Sequence, residues 1–448
     1  MSRIVISGTG SGAGKTSIST AIMASLSERS TVQAYKIGPD FIDPMYHRLA
    51  TGRPSRNLDG YMMGRDRIIS HFTRTSAAAD ISVVEGVRGL YEGIDAIEET
   101  ASTAQVAKFI KAPVILVMDS RSLTRSAAAM VQGFKSFDPD VEIAGVILNN
   151  VSGESHKRKL CRAITELADT EVLGVVYRDQ ERSIPGRHLG LVTPDSNTDM
   201  KELNENLATL VEEVDLDRIR EIADSATDIV AVDETPRDSD IGKGLKAAVP
   251  FDRSFCFYYP ENLERLQDMG VKVIRYRPTD GDDIPDADIH YLGGGYPELY
   301  ADLLSENESF ISGLKNAHDE SKFIRGECGG MMTMSQCIRD MEGRSHKMAG
   351  IFPTEATMHR RRQGLSYVEA ETINEEGSSL IRGHEFHYSN IIVKGKVDYA
   401  YRMLRGKGVD GSFDGLMSKN SIGTYMHRHA LSDDDPMYRL VSAVVQSL

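Results

Sequence analysis

The chain has 448 residues, with 52 Lys and Arg against 66 Asp and Glu, a formal net charge of −14. Its 40% hydrophobic and 26% charged residues are ordinary for a globular protein of two or three domains and exclude long disorder as its main theme. The acidic balance excludes general nucleic-acid binding and an anionic membrane surface as partners, since both need a basic footprint.

Residues 3–7 read as a short buried strand, followed by a glycine loop and a helix from Lys15 to Leu26. Further strands are predicted at Val32–Ile37, Ile81–Val84, Pro113–Met118 and Val141–Leu148, with helices between them such as Ala101–Ile110 and Leu123–Phe134. Short β-rich runs alternating with helices predict a parallel sheet covered on both faces. Glu202–Asp233 is acidic and periodic and reads as helix. The polar Pro- and Gly-containing run after it is placed as a linker, giving domains at 1–235 and 246–448 with 236–245 between. The alternation then restarts with Lys246–Val249 and Phe255–Tyr258 as strand-like runs and a helix over Leu263–Met269. Val271–Tyr276, Ile289–Leu292 and Phe323–Arg325 continue it. The fold class expected is therefore α/β in two domains.

Four cysteines (Cys161, Cys256, Cys328, Cys337) without a CxxC pair exclude a disulfide scaffold and a cysteine zinc site. Free thiols and an N-terminal apolar run too short for a signal peptide predict a cytoplasmic protein.

Gly8-Thr-Gly-Ser-Gly12-Ala-Gly14-Lys15-Thr16 sits between a strand and a helix. Small residues there let backbone N–H groups close around phosphate oxygens at a helix N-terminus. Lys15 is placed to reach the outer phosphates and Thr16 to ligand Mg²⁺. Asn149, after the fifth strand, is a candidate to read an adenine edge. Lys36-x-Gly-Pro-Asp40-x-x-Asp43 follows the second strand, at the strand end where open α/β sheets bind ligands. Carboxylates beside a triphosphate need a metal to neutralise them, so Asp40 reads as a Mg²⁺ ligand and Asp43 as a metal- or substrate-side acid. An Asp-capped turn is the plain alternative. Glu85, ending the third strand, reads as a further metal ligand, ahead of Asp119.

Glu327-Cys328-Gly329-Gly330 lies between a strand and a helix predicted over Met331–Met341. A thiol on such a turn is exposed, and the helix N-terminus is expected to lower its pKa. The glycine loop at Gly293–Gly295 and Gly329 are candidate oxyanion donors, Gly294 first among the loop. His427 or His429 is the candidate base. The His384–His387 cluster has two histidines and no evident third metal ligand, and is expected to be structural or to lie at a domain interface. His359–Arg362 reads as a solvated basic loop.

Taken in order, GTGSGAGKT, KIGPDFIDPMYH, VEGVRGLYEG, IPGRHLGL, YLGGGYPE, GECGGMM, GHEFHYS and TYMHRH span nearly the whole chain. Together they resemble the glutamine-dependent tetrapyrrole a,c-diamide synthases, acting on cobyrinic acid or Ni-sirohydrochlorin. The resemblance implies a P-loop synthetase domain similar to dethiobiotin synthetase and a class I glutaminase domain. It implies ATP and Mg²⁺, with Asp40, Asp43 and Glu85 as active-site acids. It also implies glutamine as ammonia donor, Cys328 as nucleophile and His427 as its partner. Many class I glutaminases place an acid two residues past that histidine. Here that residue is His429, so a Cys–His dyad is expected.

The implied reaction turns a peripheral carboxylate into an acyl phosphate, which ammonia from glutamine displaces, the c carboxylate before the a. Arg88 stands where the family often has Met, and gives a fork for an acidic substrate that favours Ni-sirohydrochlorin over cobyrinate. Tyr46, His47, Arg187 and His188 are further substrate candidates. A homodimer stays open. Two competing readings are amidation of other corrin side chains, as in cobyric acid synthesis, and a partitioning or regulatory P-loop ATPase with an appended interaction domain. The signature lysine of the latter would fall at position 10, which is glycine.

Overall fold

The computed structural model describes residues 1–178, 206–230, 232, 240–373 and 379–448, with the backbone of two short strands at 186–187 and 190–191. The chain divides into two compact units, Met1–Glu234 and Thr235–Leu448.

In the first unit β1 (Arg3–Gly8) has all six residues buried, as a β-branched run in a parallel sheet should. It leads through residues 9–14 into helix α1 (Lys15–Ser27). Strand β2 (Val32–Ile37), helix α2 (Ile42–Thr51), β3 (Arg56–Leu58), β4 (Ile81–Glu85), β5 (Val114–Asp119), β6 (Ile143–Val151) and β7 (Val172–Tyr177) follow. The sheet order is β3-β2-β4-β1-β5-β6-β7, and every pairing is parallel. The chain builds outward on one side of β1, then returns and builds on the other. The loop after β1 therefore lies at the point where strand order reverses, the usual ligand crevice of such sheets. Arg3 is fully buried, and its guanidinium donates to the carbonyls of Ile110, Lys111 and Thr227, tying residue 227 back to β1. A hairpin, β8 (Gly186–Arg187) with β9 (Gly190–Leu191), comes later. The stretch expected to be one helix over Glu202–Asp233 is interrupted: residues 211–213 turn and Val214 bridges to Gly174, and only Leu216–Asp224 follows as helix.

The second unit opens with β10 (Lys246–Pro250), β11 (Lys272–Tyr276), β12 (Ile289–Leu292) and β13 (Phe323–Glu327). Then come β14 (Cys337–Arg339), β15 (Ser345–Lys347), β16 (Thr354–Met358), β17 (Gly364–Thr372), β18 (Leu380–His387) and β19 (Ser389–Val393). Strands β20 (Asp398–Arg405), β21 (Phe413–Ser418) and β22 (Ser421–Thr424) complete the unit before helix Pro436–Ser447. A nine-stranded sheet runs β11-β10-β12-β13-β22-β21-β20-β17-β18, and a second sheet runs β15-β14-β16-β19. The first five strands of the large sheet are parallel and the rest antiparallel. Its core packs Val249, Leu266, Ile289, Ile324, Leu416 and Val441.

Three further expectations need correction. Phe255–Tyr258 is not a strand; only Phe257 makes an isolated bridge, to Gly294. The helix after Cys328 ends at Met334, not Met341, because Gln336 donates to the Thr354 carbonyl and the chain turns into β14. Residues 240–245, placed in the linker, form a turn bound to the second unit, where Gly242 donates to the Met269 carbonyl at 2.8 Å. No helix among the described residues is long and apolar enough to cross a membrane.

Burial on β12 pushes the His290 imidazole down to about 4. In the unfolded chain it titrates near 6.5. Between those values the unfolded state binds the extra proton, so His290 costs stability as pH falls. Asp414, pushed up to about 6 by burial, acts in the opposite sense, so the comparison is with a variant. His290→Asn is expected to gain about 2 kcal/mol relative to wild type between pH 7 and pH 5. Urea denaturation of both proteins at the two pH values checks this; a parallel pH response would contradict it.

Candidate active sites

The nucleotide-side centre follows from strand register. Ile6 on β1 and Lys36 on β2 both pair with Glu85 on β4, so the ends of three strands meet beside the loop. Gly14 starts α1 at φ 94°, and Lys15, buried at 7% exposure, curls back with Nζ 3.5 Å from the Gly10 carbonyl. Glu85 is fully buried. Its Oε1 accepts from Thr16 Oγ1 at 2.6 Å and Lys36 Nζ at 2.8 Å, and its Oε2 accepts from Ser19 Oγ at 2.9 Å. His47 Nε2 lies 2.6 Å from the same Oε2. Burial alone would push this carboxyl up, but Lys36 and His47 hold it well below the usual range.

Lys36 also bridges to Asp43 Oδ2 at 2.6 Å, and Thr16 Oγ1 lies 3.4 Å from the same oxygen. Burial, Asp40 and Glu85 push Asp43 up to about 8 against the pull of Lys36. Asp43 is raised by burial and because carboxylates crowd it, and a divalent cation beside it would relieve that repulsion. Among the described residues no three His, Cys, Asp or Glu side chains converge to hold a metal alone. A magnesium ion would be held by Thr16 and a neighbouring carboxylate together with phosphate oxygens and water, its usual mode.

Several candidates occupy other roles in this geometry. Asp40 Oδ1 accepts from the N–H groups of Ile42 and Asp43 and caps α2, the plain alternative given above. Glu85 has both oxygens taken by protein donors. Asn149 donates to the Ala13 carbonyl at 2.9 Å and accepts from Asn150 N–H, so it braces the loop instead of reading a base. His47 is fully buried between Ser55 and Glu85, and Tyr46 is buried at 4%. Neither is placed as a surface contact for a macrocycle. Arg88 is exposed, with φ 49° and a bond to the Gly93 carbonyl. The Arg187 side chain and His188 lie outside the described residues. Asp119 is paired with Arg121 and Asn150.

A methyl group on Gly14 would sit 2.1 Å from Asn149 Nδ2, at a φ that L residues rarely adopt, whereas one on Gly12 would meet open space. Gly14→Ala is expected to weaken nucleotide binding at least ~10-fold by displacing Asn149 from the loop. Gly12→Ala bears only backbone strain. Isothermal titration with ATP compares them; equal affinities would contradict the bracing role of Asn149.

The second centre forms where β13 pairs with β22. Cys328 follows β13 at φ 49°, a strained strand-to-helix turn, and its N–H donates to the Thr424 carbonyl at 2.6 Å. The thiol is buried at 7%, and burial pushes it up to about 12. The expected lowering is thus reversed: desolvation outweighs the six-residue helix Gly329–Met334. Gly329 N–H faces the sulfur and opposes the rise. Gly294 N–H is already bonded to the Phe257 carbonyl at 3.3 Å, which corrects its reading as a free oxyanion donor.

His427 is buried, and the backbone before it is fixed by Asp414, which accepts from Tyr425 and Met426 N–H. His384 and His427 exchange backbone hydrogen bonds, and their rings stack at 5.1 Å. Cys328 Sγ lies 3.8 Å from the Phe386 carbonyl. The Gly383–Ser389 motif thus lines the nucleophile's own centre, which sequence reasoning missed because β18 is distant in sequence. His429 pairs instead with Glu261, at 3.4 Å. The one signal available for Glu327 was its adjacency to Cys328.

A P-loop unit joined to a unit with a cysteine elbow defines an ATP- and glutamine-type amidotransferase, and family models agree. Residues 4–192 match the CobQ/CobB/MinD/ParA nucleotide binding domain, and residues 246–435 match the CobB/CobQ-like glutamine amidotransferase domain. A cobyrinate a,c-diamide synthase of Methanococcus maripaludis strain C7 is 45% identical over 97% of this chain and 98% of its own. Those of Methanococcus maripaludis strain C5 and Methanothermobacter thermautotrophicus are 44% and 43% identical, covering 97% and 96% of this chain and 98% and 96% of theirs. The chain belongs to the cobyrinate a,c-diamide synthase family. It is accordingly an enzyme of the glutamine-dependent carbon–nitrogen ligase class.

Proposed function

We propose that this enzyme amidates the a and c side-chain carboxylates of a metal tetrapyrrole in the cytoplasm, using glutamine and magnesium ATP. The observation that carries this reading is the near full-length match to proteins named for that reaction, in a chain holding both centres. Cobyrinate is the substrate in the relatives' names, and Ni-sirohydrochlorin is the one favoured by Arg88.

A carboxylate repels nucleophiles and has a poor leaving group. Magnesium ATP supplies the phosphoryl group that makes it an electrophile. Thr16 and the neighbouring Asp43 carboxylate would hold the metal, together with phosphate oxygens. The N–H groups of the first turn of α1, unpaired within the helix, bind phosphate oxygens. Lys15 spreads the charge that develops on the transferred group.

At the other centre His427 takes the Cys328 proton. Sγ attacks the side-chain carbonyl of glutamine, and Gly329 N–H stabilises the oxyanion. The imidazolium returns its proton to the leaving nitrogen, the C–N bond breaks, and ammonia departs from a thioester. Water, deprotonated by His427, hydrolyses that thioester to glutamate. Ammonia then displaces phosphate from the activated carboxylate. Burial pushes the Cys328 thiol up, so the attack depends on His427 taking its proton.

Incubation with ATP, Mg²⁺ and glutamine, offering cobyrinate and Ni-sirohydrochlorin in parallel, tests the proposal by mass spectrometry. Diamide from either substrate supports it and identifies the metal. Glutamine hydrolysis with no diamide from either would overturn the tetrapyrrole assignment.

A further inference from the structure

The register of this chain leaves His427 without an acid two residues later, yet a buried carboxylate reaches it from another direction. Glu327 closes β13 immediately before the nucleophile, and its side chain is 2% exposed. Its Oε2 lies 3.4 Å from His427 Nδ1 and accepts from Tyr291 Oη at 3.3 Å, while its Oε1 accepts from Arg325 Nε at 3.0 Å. Asn262 in turn donates to Tyr291 Oη at 3.1 Å and to the Arg428 carbonyl at 2.9 Å, and accepts from Ala430 N–H at 2.7 Å. The same network therefore fixes both the carboxylate and the backbone that follows His427. On its other edge His427 faces the glycine loop: a methyl group on Gly294 would lie 2.6 Å from its Cε1 and 3.2 Å from its Nε2.

A second buried pair, Glu261 with His429, has the same 3.4 Å separation but does not involve the base. The two pairs differ in one respect that matters. Glu327 touches the imidazole that must gain and lose a proton, and Glu261 touches its neighbour's.

We propose that Glu327 is the positioning residue of the glutaminase, holding His427 with Nδ1 toward its carboxylate so that Nε2 serves Cys328. The acid is thus supplied by the strand that carries the nucleophile, and His429 with Glu261 is a packing tie. An acid bonded to the far nitrogen of a catalytic histidine selects its tautomer and stabilises the imidazolium, and losing it costs orders of magnitude in turnover. This inference rests on Cys328 and His427 acting as a glutaminase.

The test is steady-state glutamine hydrolysis by the full-length enzyme and three variants across pH 6–9. Glu327→Gln is expected to lower kcat ~100-fold with KM for glutamine changed less than threefold. Its acidic limb in kcat/KM, which reports His427, should move down by about one pH unit as the imidazolium loses its counter-charge. Glu261→Gln should stay within about threefold of wild type. Glu327→Asp keeps a charge beside Arg325 and guards against misfolding; it is expected to lose ~10-fold, with the limb near its wild-type position. Equal losses in Glu327→Gln and Glu261→Gln with an unmoved limb would overturn the proposal, as would a Glu327→Gln enzyme within threefold of wild type. Wild type that hydrolyses no more glutamine than Cys328→Ser would instead overturn the glutaminase reading, and the proposal with it.

Discussion

Cys328→Ser is expected to abolish glutamine-dependent amidation, at least ~10³-fold, while amidation driven by added ammonium salt continues. The substitution is nearly isosteric. The backbone at φ 49° and the N–H bond to the Thr424 carbonyl need no side chain, so the elbow should keep its shape. What changes is the nucleophile. The buried thiol already needs His427 to lose its proton, and a hydroxyl is a far weaker acid that the same base cannot activate comparably. Glutamate release by Cys328→Ser, read alongside ammonium-supported product, checks the result. Retention of both activities would mean that Cys328 is not the nucleophile, and loss of both would mean that the variant damages more than the thiol.

The second large effect falls on Glu85. Its two oxygens meet Thr16, Lys36, Ser19 and His47, so all its neighbours present donors or, for His47, a ring nitrogen. An amide can offer one acceptor atom, and its NH₂ then faces donors. Lys36, 4% exposed, would keep only Asp43 as its charged partner. Breaking a buried ion pair from one side typically costs about 3–5 kcal/mol. Glu85→Gln is therefore expected to destabilise the first unit by about that amount and to remove synthetase turnover with either nitrogen source, since Thr16 loses its anchor. Urea denaturation gives the first quantity and ADP release the second. A stable variant with normal turnover would contradict the central place given to this carboxylate. Glutamine hydrolysis by the other centre provides an internal control.

Much of this molecule is legible in its residues alone. The predominantly apolar, β-branched runs at β1, β4 and β5 announced a sheet covered on both faces, because a parallel strand buries nearly all of its residues. The glycine loop and the Glu-Cys-Gly-Gly turn were legible because backbone conformations that reject a Cβ leave glycines behind. The antiparallel strands of the second unit were not. Cys337–Arg339 and Ser345–Lys347 are three residues each, too short for a period to declare itself. Their place depends on pairing with residues far along the chain.

The sequence by itself determined the chemistry available: which residues can bind phosphate, which can attack a carbonyl, and the class of fold that carries them. Only the tertiary structure decided who neighbours whom. It turned Asn149 inward to brace the loop, enclosed His47 behind Glu85, and brought Gly383–Ser389 beside Cys328. It also reversed the expected direction for the Cys328 thiol, because desolvation is a property of everything packed around a group and not of the few residues beside it in the chain. Sequence spacing conveys only local geometry. The carboxylate that meets His427 comes from across two paired strands, and that pairing is fixed by the whole sheet.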